Sequence, residues 1–222
     1  MLIRFAYAVE GPVKFLSHLD LLKLFSKSVK RANIPVAYSE GFNPHPKIAF
    51  GPPRGVGIAG LQEYCDIKLA REMAVADFIK QLNQALPKGI QVLSARELQE
   101  KVLPLMAAIQ VVEYQAVLPS DLADDLEQRV SWFEQQTEVF YLRKRPKKKD
   151  KQVNVRESVL FLQGEKTAEA YRLTMRLAFA ETGSAKPSEV LAVLLEEKHC
   201  PEVEWLRTGM WVRQPDGALQ TP

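Results

Sequence analysis

In each half of this chain the spacing of apolar residues passes from a period of two to a period near 3.6 and back two times, and the order of those switches limits the available folds. In the first half, residues 2–8 alternate as a strand, a helix follows to about Asn33, Lys47 to Phe50 is a short strand and Glu63 to Leu69 a longer one. Residues 74–86 have helical spacing through Val75, Phe78, Ile79 and Leu82, Pro87 and Gly89 stop them, and Ile90 to Leu98 returns to strand. The second half reads the same way: strand at Val111 to Leu118, helix at 121–135 after Ser120, strand at Thr137 to Arg143, strand at Tyr171 to Phe179, helix from Pro187, strand at Val203 to Val212, with an extra helix at 155–162. Each half therefore spells β-α-β-β-α-β. The predicted class is α+β, as two tandem ferredoxin-like (βαββαβ) domains with antiparallel sheets. The expected boundaries are 1–103 and 104–222, with the link near residues 101–110 at Pro104 and residues 214–222 as a frayed tail.

Length agrees with that division, because 222 residues at 46% hydrophobic can fill two cores of ordinary size. The only cysteines are Cys65 and Cys200, without paired spacing, so neither a disulfide framework nor a cysteine-rich zinc site is expected. No segment approaches the roughly 18 uninterrupted apolar residues of a membrane span, and Met1 to Phe5 reads as strand rather than signal peptide. The expectation is a cytoplasmic protein without a membrane partner.

Charge is unevenly placed. Residues 1–54 carry eight Lys and Arg against three acids, residues 141–151 carry seven against one, and the remainder nets −8, although the whole chain is only +3. Clustered cations neutralise phosphates with counterion release, so this distribution points to a polyanion-facing side.

The stretch from Ser17 to Lys47 carries most of the candidate chemistry. Ser17 is placed to cap a helix, with Asp20 three residues on in a capping-box-like arrangement. At 100° per residue Leu21, Leu22, Phe25, Val29 and Ala32 share one face, while Lys23, Lys27, Lys30 and Arg31 form a stripe about 100° wide on the other. Pro35 ends the helix. In the loop that follows, Gly41-Phe-Asn-Pro-His-Pro46, two prolines fix φ and a glycine permits unusual φ, which makes a rigid mount for an imidazole. His18, at the helix start, and His45 are therefore candidate acid/base groups. A bland alternative has His18 capping and packing and His45 bracing a turn.

Candidate phosphate contacts are Lys23, Lys27, Lys30, Arg31, Asn43, Lys47, Arg54 in the glycine-rich turn Gly51 to Gly57, and the basic run Arg143, Lys144, Arg145, Lys147, Lys148 and Lys149. Tyr38, Phe42, Tyr64 and Tyr141 are candidate stacking aromatics for single-stranded bases. His18, His45 and Cys65 are too few and too far apart for a structural zinc site, and His199 is placed to answer a helix dipole. No metal or cofactor is expected.

At Ser17-His-Leu-Asp20, Pro35 to Pro46, Glu63-Tyr64, Lys186 to Leu191 and Arg207-Thr208 the chain resembles a bacterial family of unknown function found fused to, or encoded beside, cobalamin-binding radical SAM proteins. Where that family's turn usually reads Pro-Leu-x-x-Gly-x-Glu-Ser, this chain has Arg54-Gly55 after Pro53 and Ala59-Gly60 in place of Glu-Ser. Two distant cysteines cannot supply the close three-cysteine cluster motif of a radical SAM enzyme, so the resemblance implies an accessory to such an enzyme. In expected architecture alone the chain also resembles the CRISPR repeat-processing endoribonucleases, which raises the prospect of RNA contact. The leading expectation is an RNA-binding or substrate-presenting module working with a radical SAM protein in RNA modification or processing. The alternatives are a metal-independent endoribonuclease with His18 or His45 as acid or base, and a protein-interaction subunit without nucleic acid.

Overall fold

The computed structural model describes residues 1–98, 102–146, 148–180, 184–196 and 203–222, with residues 123 and 124 described in backbone only. The chain forms strands β1 (Leu2–Val9), β2 (Ile48–Phe50), β3 (Ala59–Lys68), β4 (Ile90–Leu98), β5 (Val111–Pro119), β6 (Phe140–Arg143), β7 (Lys151–Asn154), β8 (Val159–Lys166), β9 (Ala170–Ala178), β10 (Trp205–Arg213) and β11 (Leu219–Gln220). Its helices are α1 (His18–Arg31), α2 (Val75–Ala85), α3 (Leu105–Ala108), α4 (Ala123–Gln135), α5 (Val155–Ser158) and α6 (Pro187–Leu194), with 3-10 turns at Gly11–Phe15 and Ser120–Leu122.

Strand pairing overturns the expected architecture. Instead of two ferredoxin-like domains with separate sheets, nine strands form one mixed sheet in the order β4-β1-β3-β10-β5-β9-β8, with β2 on β3 and β11 on β10, and β6 and β7 make a separate two-stranded sheet. The reason is long-range: periodicity shows that Val203 to Val212 is a strand but not which strands flank it. The resemblance to the CRISPR endoribonucleases rested on the tandem arrangement and loses its basis. The helix expected at 155–162 is one turn, α5, before the chain extends into β8, which pairs with β9 from Val159 onward.

Backbone contacts divide the chain into two compact units, Met1–Ile109 with Gly209–Pro222, and Gln110–Thr208. In the first unit β1 is buried along almost its whole length and pairs antiparallel with β3 and β4. Its inward rings form an aromatic cluster with the helices: Phe5 lies 5.9 Å from Phe25 and 5.5 Å from Phe78, and Tyr7 lies edge-on to Phe25 at 5.1 Å. Such pairs add specificity of geometry to the area they bury. Gly89 turns the chain into β4 at φ 93°, a region where a side chain is strained. Its carbonyl accepts the Glu10 amide at 2.8 Å. Residues 214–222, expected to fray, are tied down: β11 pairs with Val212 and Arg213, Pro222 is buried, and the Pro222 carbonyl accepts a bond from Arg96 at 2.8 Å. In the second unit Leu126, Phe133, Tyr171, Leu173, Met175 and Val190 lead a separate core.

Candidate nucleic-acid interface

The capped helix forms as its sequence dictates. The Ser17 hydroxyl accepts the Asp20 amide at 3.2 Å and donates to the Asp20 carboxylate at 2.7 Å, which satisfies a helix-end donor. Leu21, Phe25, Ser28 and Val29 are buried, whereas Lys23, Lys27 and Lys30 stand exposed on the opposite side. Lys23 has a loose pairing with Asp20 at 3.9 Å, and Lys27 and Lys30 have no side-chain partner among the described residues. Arg31 differs, because its Nη2 donates to Ala85 O at 2.7 Å and to Ser28 Oγ at 3.0 Å, joining the end of α1 to the end of α2.

His18 is exposed, and its ring meets the edge of Phe50 at 5.6 Å with the planes 77° apart. It lines a pocket with Tyr7, Phe50, Pro53, Arg54, Glu63 and Tyr64 whose free volume is about 10 Å³, room for one water. Glu63 is buried and its side chain folds over Gly60, in the space a Cβ there would occupy. Gln62 Nε2 donates to the Tyr64 hydroxyl at 2.7 Å, and burial raises the Tyr64 phenol above its ordinary pKa, against a smaller lowering by Arg96 and Arg4. Arg54 turns inward: its Nη1 donates to Lys14 O at 2.9 Å and to Ile58 O, tying the glycine-rich turn to the 3-10 turn Gly11–Phe15.

His45 belongs to a different feature. Residues 35–47 form a β-like arm held at its base by the Val36–Leu69 bridge and the Ala37 amide on Lys68 O at 2.8 Å, and higher up by the Tyr38–Pro46 bridge. Ser39 and His45 close the tip reciprocally: the Ser39 amide donates to His45 O at 2.8 Å, and the His45 amide to Ser39 Oγ at 2.9 Å. Beyond that closure Glu40, Gly41, Phe42, Asn43 and Pro44 are all exposed, with Gly41 at φ 113°. His45 is not among the residues lining the His18 pocket. Lys47 is exposed at the foot of the arm.

In the second unit the basic run is the tip of the β6–β7 hairpin. Arg143 lies at its base in a bidentate pair with Glu189, which pushes the guanidinium pKa up further, and its Nη2 also donates to Ser184 O at 2.9 Å. Arg145 folds back on Lys149 O at 2.8 Å, while Lys144, Lys148 and Lys149 point to solvent. Lys147, His199 and Cys200 lie outside the described residues. Tyr64 is buried and Tyr141 packs at the edge of the second core, leaving Tyr38 and Phe42 as the exposed aromatics of the four considered for stacking.

Among the cations singled out by sequence, Arg31, Arg54 and Arg143 tie elements together within their own unit, as Arg4 does with Asp66 at 2.7 and 2.8 Å, whereas Lys23, Lys27, Lys30, Lys144, Lys148 and Lys149 are exposed. Sequence reasoning placed Phe50 in a short strand and Glu63 in the family motif without bringing either to His18; an apolar residue in a three-residue strand carries no signal of the ring it will meet. Among the described residues no three His, Cys, Asp or Glu side chains gather as a metal site, and no helix is long and apolar enough to cross a membrane.

A family model described as "Uncharacterized protein conserved in bacteria (DUF2344)" matches residues 2–187. No curated protein matches the chain. Among solved structures, the crystal structure of an unknown protein from Galdieria sulphuraria is similar over 88% of this chain and 90% of that one, at 14% identity and a TM-score of 0.26.

Proposed function

The chain belongs to the DUF2344 family of uncharacterized proteins conserved in bacteria, and within that family we propose that it is an accessory RNA-binding module that presents substrate to a radical SAM enzyme. The observation that carries the RNA-binding part is the face of α1, where Lys23, Lys27 and Lys30 stand exposed while neighbouring arginines are engaged internally. Lysine is a mobile point charge without the planar fork that reads one phosphate geometry, so this face suits backbone attraction rather than base recognition. The exposed lysines of the β6–β7 tip provide a second cluster of the same kind. The radical SAM partner rests on the sequence resemblance at Ser17 to Asp20 and Pro35 to Pro46.

The test is a titration of structured RNA across a salt series. Affinity should fall with a log–log slope of roughly −0.7 to −0.9 per phosphate contact. Binding that is absent, or indifferent to salt, overturns the reading. Co-purification from cells should return a radical SAM protein together with RNA; recovery of the protein without RNA favours a purely protein-interacting subunit.

A second reading draws on the exposed, unbonded imidazole of His18 beside the start of α1. As a metal-independent endoribonuclease, the protein would cut RNA at discrete positions in chelator, and His18→Ala would abolish the cuts. Intact RNA removes this reading and leaves the first standing.

A further inference from the structure

Phe42 is 106% exposed, at the apex of an arm that is otherwise firmly closed. A single exposed apolar side chain is ordinary on a protein surface, so exposure by itself means little. The setting of this one is the informative part. The Tyr38–Pro46 bridge and the reciprocal Ser39–His45 bonds leave only a short tip, Gly41 turns the chain with a positive φ, and Pro44 and Pro46 fix two more dihedrals. The backbone that carries the ring is already closed by hydrogen bonds, so covering the ring costs chiefly the freedom of its own two side-chain torsions.

The ring shares its tip with residues of mixed character: Glu40, Asn43, Pro44 and His45 are all exposed, and Tyr38 is a half-exposed ring lower on the same arm. Given an RNA partner, an unpaired base asks for one flat face and an edge partner, and its strand for a cation along its path. Phe42 supplies the face, the adjacent Asn43 amide carries both donor and acceptor, and Lys47 is an exposed cation at the foot of the same arm. We infer that Phe42 is a stacking platform for an unpaired RNA base, which makes the arm the part of the protein that distinguishes single-stranded from paired RNA. This inference rests on the RNA-binding reading and adds the form of RNA recognised.

The experiment compares the full chain with Phe42→Ala, Phe42→Trp and Phe42→Leu, using a fluorescein-labelled single-stranded RNA and the same sequence annealed to its complement, each across a salt series. Phe42→Ala should weaken single-strand binding by roughly 5- to 150-fold. It should leave the salt slope and the duplex affinity unchanged, because stacking moves no counterions. Phe42→Trp should retain binding, and Phe42→Leu, apolar but not flat, should not. Phe42→Ala binding the single strand like wild type, or Phe42→Leu restoring it fully, overturns the inference while the lysine-dependent salt slope keeps the RNA-binding reading intact. Wild type that binds neither RNA removes both. The side chain touches no core, so every variant should keep the wild-type melting temperature.

Discussion

Arg143 and Glu189 meet as a fork: Nε donates to Oε1 at 2.5 Å and Nη2 to Oε2 at 2.7 Å, with the Glu189 side chain 5% exposed. Oε2 also accepts the Lys186 amide at 2.9 Å, so one carboxylate closes the start of α6 and anchors the β6–β7 hairpin. The basic run thus begins from a part-buried ion pair, Glu189 enclosed and Arg143 partly exposed, and becomes solvent-facing at its tip.

Removing one partner of such a pair strands the other charge. Glu189→Ala should destabilise the protein by about 3–5 kcal/mol. Arg143→Lys, which keeps the charge and loses the fork, should fall between that variant and wild type. Urea unfolding measures both, and a Glu189→Ala loss below about 1 kcal/mol would contradict the role given to the pair.

The Ser17 cap predicts a smaller effect. Ser17→Ala removes the acceptor for the Asp20 amide and should cost about 1 kcal/mol, read as a lowered melting temperature, while Ser17→Asp should recover most of it.

Alkaline pH should weaken the fold through Cys65. Burial, with the neighbouring Asp66 charge adding to it, pushes this thiol well above its ordinary pKa. Between the unfolded and folded values the native chain therefore holds the proton that the unfolded chain has lost. The contribution is complete below about pH 8.5 and falls as pH rises above it, by up to about 1.4 kcal/mol per unit. Unfolding free energies of wild type and Cys65→Ala from pH 7 to 10 should converge as pH rises; parallel curves would refute this assignment. Tyr64, also raised, acts with the same sign at higher pH.

Lys23, Lys27 and Lys30 should govern salt dependence rather than stability. Replacing all three with Ala should flatten the log–log slope of RNA binding by about 2 to 3 units. The melting temperature should stay nearly unchanged, since exposed positions away from caps and cores usually shift stability by less than about 0.5 kcal/mol. A triple variant with the wild-type slope would move the phosphate contacts off α1.

How much of this was legible beforehand follows from the range of each interaction. The cap at Ser17, the two faces of α1 and the start of α6 at Pro187 are set by residues within a turn or two, and the sequence alone determined them, whereas α1 closes at Arg31, ahead of Pro35, with Asn33 at φ 53°. The turn at Gly41, at φ 113°, was legible for the same local reason.

Tertiary structure alone decided what those pieces meet. That β10 lies between β3 and β5 in one sheet, that Phe50 holds His18, that Arg143 is taken by Glu189, and that Pro222 is buried beside Arg96 all join residues far apart in sequence. Apolar periodicity records which face of a strand or helix is covered; the partner that covers it is set by chain closure and packing, which leave no period to read.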